Sequence, residues 1–362
     1  MTNIKPNLTY TIIIKMRSFF INRIALFPYY LTLKIRHYLY DNGIFKSCKF
    51  DIPVISIGNI SAGGTGKTPH TEFVVKELMQ DVRAAVLSRG YGRKSKGFRF
   101  VETTDSAAEA GDEPLQIKTK FPGVTVAVDG NRVRGINTLM QMEPQSRPEV
   151  IVMDDAFQHR RVTPSLSLLL IDFRYPPQED NLIPAGRLRD LPEQIKRADA
   201  IIVTKCPPEL SAQEIFIWRN QLMVLPHQKL LFSAIQYGEP VSIFEEGDKR
   251  YTYSNFAILL TGIANPKPLE YHLINRYKII KKIHYRDHHY FTKYDASKVN
   301  SLVKKYPKAV IFTTEKDSQR LKGLTRLNPE TRKRIFFLPI EVSILNENGE
   351  ILSQLLRKCF IG

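Results

Sequence analysis

The sequence predicts an α/β fold with a doubly wound, mainly parallel sheet and a smaller C-terminal α/β domain. Short apolar runs that fit buried parallel strands alternate with connections of helix length, which is the pattern of a chain wound over both faces of a sheet. A glycine-rich turn follows the first run, and a pair of acids ends a later one. The strand candidates in the first part of the chain are residues 54–57, 84–88, 124–128, 150–153, 166–171 and 200–203.

The stretch 54–70, VISIGNISAGGTGKTPH, predicts a phosphate-binding loop between the first strand and a helix. Glycines let successive backbone N–H groups turn toward an anion, a lysine reaches the β- and γ-phosphates, and a threonine hydroxyl ligates Mg²⁺. Lys67 and Thr68 follow three glycines, as this chemistry requires. Ser61 stands where the usual motif has its first glycine, so an ordinary glycine-rich turn is the alternative.

Two adjacent acids, Asp154 and Asp155, end the apolar run 150–153. A buried strand that presents a carboxylate to the Mg²⁺ of a nucleotide is the usual partner of a phosphate loop. An apolar strand that ends in aspartate is common, but together with Lys67 and Thr68 it favours a nucleoside triphosphate site and a sheet like that of P-loop NTPases. The segment 204–207, TKCP, lacks the aspartate of the guanine-reading motif, which favours ATP over GTP.

Three further loops carry charged residues that fit a phosphate site. Arg89 and Arg93 follow a strand, and ligands bind beyond the strand ends of open α/β sheets, although a solvated loop is equally compatible. The turn 111–114, GDEP, is either a helix start with acids in its first turn or a place where a carboxylate binds Mg²⁺ or accepts a proton. The loop 184–190, PAGRLRD, has two arginines and an acid.

The sequence divides into four segments. Residues 1–50 are predicted to form basic amphipathic helices and residues 51–232 the P-loop ATP-binding domain. Residues 233–253 are an irregular linker, and 254–362 are a C-terminal α/β domain that closes over the site. In the last segment, a histidine beside an aspartate in 284–289, HYRDHH, can accept a proton across an interdomain cleft. A metal site there lacks a third ligand besides Asp287, and a solvent-facing histidine pair is the more common case.

Residues 1–50 hold eight lysines and arginines against one acid, interleaved with aromatic and aliphatic residues. The uncharged run is too short for a transmembrane helix, so the segment either lies in a membrane interface or packs on the protein's own core. The formal charge of +17 implies acidic partners: nucleic acid, an anionic membrane or phosphorylated small molecules. Three widely separated cysteines favour a reducing compartment.

Nine pieces of the chain resemble, in order, the tetraacyldisaccharide 4'-kinases of lipid A synthesis. They run from residue 39 to about 317 and read LYDNGIFKS, PVISIGNISAGGTGKTP, LSRGYGRKSKG, GDEPLQI, MDDAFQHR, PAGRLRD, TGIANP, RDHHYFT and FTTEKD. The resemblance implies transfer of the γ-phosphate of ATP to the 4'-hydroxyl of an acylated glucosamine disaccharide 1-phosphate. It also accounts for Ser61, because the family's loop lacks glycine there. The resemblance further implies that the protein works at the cytoplasmic face of a Gram-negative inner membrane, anchored through its N-terminal helix.

The resemblance also implies roles for individual residues. Asp112 and His288 match the family's catalytic aspartate–histidine pair, and Lys67 neutralises phosphate charge. Thr68, Glu113, Asp154 and Asp155 form the expected Mg²⁺ environment. The residues expected to hold ATP are Ser61, Ala62, Gly63, Gly64, Thr65, Gly66, Lys67 and Thr68. The 1-phosphate and the anionic lipid are expected to contact Arg89, Arg93, Arg187 and Arg189. Asp190 stands where the family more often has glutamate, so its expected contact with substrate has a shorter side chain.

Two other classes of protein compete with a kinase. A P-loop ATPase switch of the partitioning or assembly type usually carries a second lysine early in the loop, where this chain has Ser61 and Ala62. A nucleic-acid-binding protein is suggested by net charge alone, without a recognition helix, zinc pattern or RNA-binding aromatic signature. The sequence therefore favours a kinase that contacts lipid and membrane and no nucleic acid.

Overall fold

The computed structural model describes residues 26–346 and 348–361, and it places them on two sheets. The strands are β1 Val54–Asn59, β2 Ala84–Ser88, β3 Arg99–Phe100, β4 Thr125–Val128, β5 Val150–Met153, β6 Leu166–Asp172, β7 Ala200–Thr204, β8 Lys229–Tyr237, β9 Val241–Ser242, β10 Phe256–Thr261, β11 Lys278–His284, β12 Val310–Thr314, β13 Ile335–Leu338 and β14 Ile340–Ile344. The helices are α1 26–41, α2 Lys67–Leu78, α3 Ala107–Ala110, α4 Asp112–Lys120, α5 Arg132–Met140, α6 Ala212–Gln221, α7 Lys267–Ile274, α8 Lys293–Lys305, α9 Glu315–Leu321, α10 Pro329–Arg332 and α11 Gly349–Ile361.

The large sheet has nine strands in the order β14-β8-β7-β6-β1-β5-β2-β4-β3. The inner strands from β8 to β4 are parallel to one another, and β14 and β3 close the two edges in antiparallel orientation. β1 lies between β5 and β6, where the strand order changes direction. Such a switch point opens a crevice at the carboxyl ends of the strands, and the phosphate loop follows β1 there.

Both faces of this sheet are covered, which confirms the doubly wound prediction. Apolar residues of α2, α4 and α11 pack with one face, and residues of α1, α5 and α6 pack with the other. Every residue of β1, β2, β5, β6 and β7 is buried. Their near-continuous apolar runs are the composition that a parallel sheet covered on both faces requires.

The smaller sheet has five strands in the order β11-β10-β12-β13-β9. β10 to β13 are parallel, and β9 is an antiparallel edge strand. α9 begins directly after β12, with the hydroxyl of Thr314 accepting a hydrogen bond from the Asp317 amide at 3.0 Å. This cap fixes the helix that faces the large sheet across the site described below.

The predicted domain boundaries need two corrections. The expected linker 233–253 contains the end of β8, all of β9 and a 3-10 helix at Lys249–Tyr253, so most of it is part of the two sheets. The chain then returns: β14 pairs with β8 and α11 buries Leu352 and Leu356 in the core of the large sheet, so residues 340–361 do not belong to the C-terminal domain. β14 covers the edge of the large sheet that β8 would otherwise leave open. Local sequence does not indicate this pairing, because the two strands are far apart in the chain. The chain passes from the large sheet to the small one after β8 and returns before β14. These two segments lie side by side, since the Gly238 amide donates to the Pro339 carbonyl at 2.9 Å.

The predicted N-terminal segment is described only from residue 26. α1 ends near Gly43, which has φ of +69°, a left-handed conformation that commonly follows the end of a helix. Residues 1–25 lie outside the described residues, and so does the first part of the predicted amphipathic pattern. Within the described part of the chain, no helix combines the length and apolar character needed to cross a membrane.

Candidate active site

The predicted phosphate loop connects β1 to α2, with Lys67 as the first residue of the helix. Gly66 caps the helix with φ of +90°, a left-handed conformation that glycine adopts without a steric penalty. Two neighbours hold the loop from the side of β7: the Thr204 hydroxyl donates to the Thr65 carbonyl at 2.8 Å, and the Lys205 ammonium donates to the Gly64 carbonyl. These contacts hold the predicted phosphate loop against the carboxyl end of β7.

Asp154 and Asp155 follow β5 beside this loop. Asp154 is 1% exposed and accepts hydrogen bonds from Thr71 at 3.1 Å and Ser88 at 3.4 Å. Burial and the nearby carboxylates of Glu113 and Asp155 raise the pKa of Asp154 to about 7. Burial alone would raise the pKa of Asp155, but the hydrogen bond from Arg189 and the charge of Lys67, 3.8 Å away, lower it.

These charges fit a divalent cation. Burial is the main cause that disfavours the charged form of Asp154, and the charges of Glu113 and Asp155 add to it, so a bound cation would relieve that repulsion. Within the described ranges, no three His, Cys, Asp or Glu side chains are grouped closely enough to hold a metal by themselves. Mg²⁺ in kinase sites takes only one or two carboxylates and completes its shell with phosphates and water, so the residues present fit that ion.

Asp112 and His288 come together next to Glu113, whose charge acts on Asp154. His288 Nδ1 lies 2.9 Å from Asp112 Oδ2, and Arg320 Nε lies 3.5 Å from the same oxygen. The Asp112 carboxylate is largely buried, while the His288 ring is partly exposed and packs against Tyr91 with ring centroids 5.1 Å apart. Asp112 belongs to α4 of the large sheet and His288 to the loop after β11 of the small one, so the pair spans the two sheets.

Two glycines let the loop that carries Tyr91 approach α4. Gly111 has φ of +92°, and a Cβ added there would lie 3.1 Å from Gly90 Cα. Any larger residue at Gly111 would push the two turns apart and move Asp112 with them. This packing gives a physical reason for the glycines of both sequence pieces, RGYG and GDEP.

Backbone strain among the non-glycine residues concentrates at this site. Asp155, Lys205 and His288 have φ of 48°, 59° and 58°, and they are three of the five described non-glycine residues in that region. Such conformations cost free energy and persist where the surrounding structure holds them for function. Their clustering supports the crevice as the functional centre.

Sequence reasoning assigned no catalytic role to two cations of α9. Lys316 Nζ lies 3.1 Å from His288 Nε2 and 3.3 Å from Glu113 Oε1. Arg320 donates to the His289 carbonyl at 2.9 Å and so holds the loop that carries His288. The piece FTTEKD was the available signal for Lys316, but a capped helix start explains that piece equally well.

The predicted substrate arginines have different surroundings. Arg89 is exposed after β2, and Arg93 donates within its own loop to Gly97. Arg187 lies over the ring of Tyr175, with Cζ 3.2 Å from the ring centroid. Arg189 forms an ion pair with Asp155 and hydrogen-bonds Asn59, so it belongs to the edge of the phosphate site.

Asp190 corrects a prediction. Its side chain is fully buried and lies 2.6 Å from Nε2 of His37 in α1, so it cannot contact substrate in this arrangement. The aspartate instead holds α1 against the connection between β6 and β7. The sequence did not indicate His37 as the partner, because the two residues are 153 positions apart.

A cavity of about 510 Å³ adjoins the phosphate site on the side of α1. Arg132 Nη2 donates to the Asp154 carbonyl at 3.1 Å, and Gln158 Nε2 donates to the Asn59 carbonyl at 2.8 Å, so the cavity wall continues into β5 and β1. Burial, with the charges of Arg132 and Arg89, lowers the pKa of His159 to about 4 and keeps its imidazole neutral. The charged and polar side chains of the lining are Arg36, Tyr40, Asn131, Arg132, Gln158, His159, Arg160 and Arg161.

His284 and His288, four residues apart, were weighed from sequence as a metal pair, and among the described residues each has another partner: His288 contacts Asp112, as given above. His284 is exposed and its Nδ1 lies 3.2 Å from the Thr261 hydroxyl. His289 Nε2 lies 3.0 Å from Asp295 Oδ2 and its ring stacks on Tyr285. His284 and His289 therefore each have a partner near the small sheet.

Comparisons with known proteins cover nearly the whole chain. The family described as Tetraacyldisaccharide-1-P 4'-kinase matches residues 21–359. The tetraacyldisaccharide 4'-kinase of Phocaeicola vulgatus is 42% identical over 326 residues, covering 88% of this chain and 89% of its own length. That of Parabacteroides distasonis is 38% identical over 339 residues, covering 92% of each chain. The crystal structure of "apo" form LpxK from Aquifex aeolicus in complex with ATP superposes with a TM-score of 0.70 at 28% identity, covering 93% of this chain and 99% of that one.

Proposed function

The chain belongs to the tetraacyldisaccharide-1-P 4'-kinase family, and from that premise we propose how its residues transfer the phosphoryl group. As a member, it is an ATP-dependent kinase that phosphorylates the 4'-hydroxyl of tetraacyldisaccharide 1-phosphate in lipid A synthesis. The observation that carries our assignment of its catalytic residues is the contact between Asp112 and His288 beside the phosphate loop.

Asp112 acts as the general base. His288 and Arg320 both approach Oδ2, and no hydrogen bond from the described residues reaches Oδ1. Oδ1 accepts the proton as the 4'-hydroxyl oxygen bonds to the γ-phosphorus, and the bond from that phosphorus to the oxygen retained by ADP breaks. Because phosphoryl transfer depends mainly on positioning and charge neutralisation, no covalent enzyme intermediate is needed.

The residues 61–68 hold the phosphates, and Lys67 neutralises their charge. Bound Mg²⁺, held by Thr68 and by one or two of the carboxylates of Glu113, Asp154 and Asp155, would supply further neutralisation of the β- and γ-phosphates. Asp155 orients Lys67 at 3.8 Å and is itself held by Arg189. The alternative function, a P-loop ATPase switch, would use the same loop. The relatives of this chain are tetraacyldisaccharide 4'-kinases, which favours the kinase over that alternative.

The cavity beside α1 receives the phosphorylated sugar of the acceptor. Four guanidinium groups line it, those of Arg36, Arg132, Arg160 and Arg161, and arginine binds phosphate through paired hydrogen bonds. Burial lowers the pKa of Arg132 to about 10, so it stays charged at neutral pH. These residues, rather than Arg93 and Arg187, are the stronger candidates for the 1-phosphate.

α1 brings the acceptor site to a membrane surface. Its buried side packs on the large sheet through Leu33 and His37, while its outer side exposes an apolar stripe at helical spacing. The stripe consists of Phe27, Leu31, Ile35 and Tyr38, each at least 43% exposed. An interfacial helix binds acyl chains through such a face, so we place the enzyme at the cytoplasmic surface of the inner membrane, where the lipid acceptor resides.

Replacement of Arg161 tests the acceptor site. Arg161 is exposed at the cavity, so Arg161→Ala removes a guanidinium with little effect on folding. We expect the KM for the acceptor to rise about tenfold, while the KM for ATP stays within about twofold. Arg250→Ala is the matched control, because the Arg250 side chain is 89% exposed in the 3-10 helix between β9 and β10. An unchanged acceptor KM in Arg161→Ala would refute this location for the phosphorylated sugar.

A further inference from the structure

The two nitrogens of His288 have partners of opposite charge. Nδ1 lies 2.9 Å from a carboxylate oxygen of Asp112, and Nε2 lies 3.1 Å from the ammonium of Lys316. A carboxylate accepts hydrogen bonds, and an ammonium only donates them. Both partners therefore require the same neutral tautomer, with its proton on Nδ1 and its lone pair on Nε2.

We propose that Lys316 is a positioning residue that fixes this tautomer of His288 and so orients the base Asp112. The proposal rests on the catalytic pair proposed above and extends it to a third residue. Lys316 acts through His288, because its ammonium touches the imidazole and not the Asp112 carboxylate. The small sheet thereby controls the base through α9 as well as through the loop after β11.

The ammonium of Lys316 is held in place by its own surroundings. Glu113 Oε1 lies 3.3 Å from it and Asp287 Oδ1 lies 3.8 Å from it, and the side chain is 19% exposed. Lys316 also lies in the first turn of α9, whose start is fixed by the Thr314 cap. The long side chain therefore has one well-defined position, which a tautomer-setting donor needs.

Asp287 is the competing partner at Nε2. Its Oδ2 lies 3.9 Å from Nε2, and a carboxylate there would favour a proton on that nitrogen. The Lys316 ammonium lies 3.1 Å from Nε2, within hydrogen-bond range, whereas the Asp287 oxygen at 3.9 Å does not. The lysine therefore determines which nitrogen carries the proton. Without Lys316, a proton on Nε2 would leave the Nδ1 lone pair facing the Asp112 carboxylate, and the contact would become repulsive.

The test combines a spectroscopic readout with a double-mutant cycle on the full chain. Nitrogen-15 NMR of histidine-labelled protein, with His288 assigned from its loss in His288→Gln, should show the Nδ1–H tautomer in the wild type and a mixture in Lys316→Met. We expect Lys316→Met to lower kcat about 10- to 100-fold with little change in the KM for ATP, and Lys316→Arg to restore part of it. Lys322→Met, at the exposed end of the same helix, is the control and should change neither readout.

The cycle separates failure of this proposal from failure of the catalytic pair. In the His288→Gln background, Lys316→Met should cause little further loss, because its effect passes through the imidazole. The same loss of kcat in both backgrounds, or an unchanged tautomer in Lys316→Met, would overturn the role of Lys316 alone. Unchanged turnover in His288→Gln would instead overturn the catalytic pair itself.

Discussion

His288 Nδ1 lies 2.9 Å from Asp112 Oδ2, although the two residues are 176 positions apart and belong to different sheets. Neither sheet holds this pair alone. The packing of α4 against α9 therefore holds the proposed catalytic pair together, and a shift between the two sheets would separate Asp112 from His288.

Loss of either member of the pair should lower turnover. In Asp112→Asn and His288→Gln we expect kcat to fall about 10²- to 10⁴-fold, the usual contribution of a positioned general base, while ATP affinity stays within a few-fold. Steady-state phosphate transfer and calorimetric ATP binding measure the two quantities. Asp248→Asn, whose side chain pairs with Arg250 in the 3-10 helix between β9 and β10, is the control. Full turnover in both variants of the pair would exclude their catalytic role.

The buried pair of Asp190 and His37 should matter for stability rather than for acceptor binding. Asp190→Asn leaves buried donors without a charged acceptor, so we expect the free energy of unfolding to fall by about 1–3 kcal/mol. Urea unfolding measures this, with Glu193→Gln as control, because the Glu193 side chain is 52% exposed where it pairs with Lys34. If stability were unchanged and the acceptor KM rose, the substrate contact expected from the sequence would be correct.

A buried carboxylate between α2 and α4 should make stability depend on pH. Glu72 accepts hydrogen bonds from Gln116 and Lys120, both at 2.7 Å, and burial together with the charge of Glu315 raises its pKa from 4.5 to about 7. The folded state then binds more protons than the unfolded state between these values, so stability falls as pH rises from about 4.5 to 7.

Replacement of Glu72 isolates this effect. In Glu72→Gln the part of the dependence that Glu72 causes should disappear, so the stability of the variant relative to the wild type should improve by up to about 3 kcal/mol between pH 5 and pH 8. Lys120 keeps Glu315 as a partner at 3.6 Å in this variant. Urea midpoints at several pH values provide the measurement, and parallel curves for variant and wild type would contradict the assignment.

The outer face of α1 should carry membrane binding. Leu31→Glu combined with Ile35→Glu places two charges in the apolar stripe, and we expect cosedimentation with phosphatidylglycerol vesicles to fall at least about tenfold. Transfer to a detergent-dispersed acceptor should change much less. Ile274→Glu, at a side chain 51% exposed on α7, is the control. Equal vesicle binding by the double variant and the wild type would exclude α1 as the membrane contact.

Local patterns in the sequence were sufficient for the central sheet. The strands and the turn at Gly66 follow from apolar runs and a glycine-rich signal, both of which act over a few residues. The prediction left residues 340–361 in the C-terminal domain and missed the pairing of β14 with β8, because that pairing depends on a segment about a hundred positions away in the chain. Family resemblance, not spacing, brought Asp112 and His288 together.

The remaining features of the site also depend on distant partners. Asp190 looked like a loop acid, and only the position of α1 shows that His37 buries it. Lys316 looked like part of a helix start, and only the packing of the small sheet on α4 brings it to His288. The roles of the individual site residues stay predictions until the variants above are measured.

Transfer of labelled γ-phosphate from Mg·ATP to a detergent-dispersed acylated glucosamine disaccharide 1-phosphate tests the central claim most directly. The wild type should place the label in the lipid at the 4'-position, and Lys67→Ala, which removes the cation on the phosphates, should lower this transfer at least about 100-fold. Label released only as inorganic phosphate, with none in the lipid, would contradict the kinase and point to an ATPase switch.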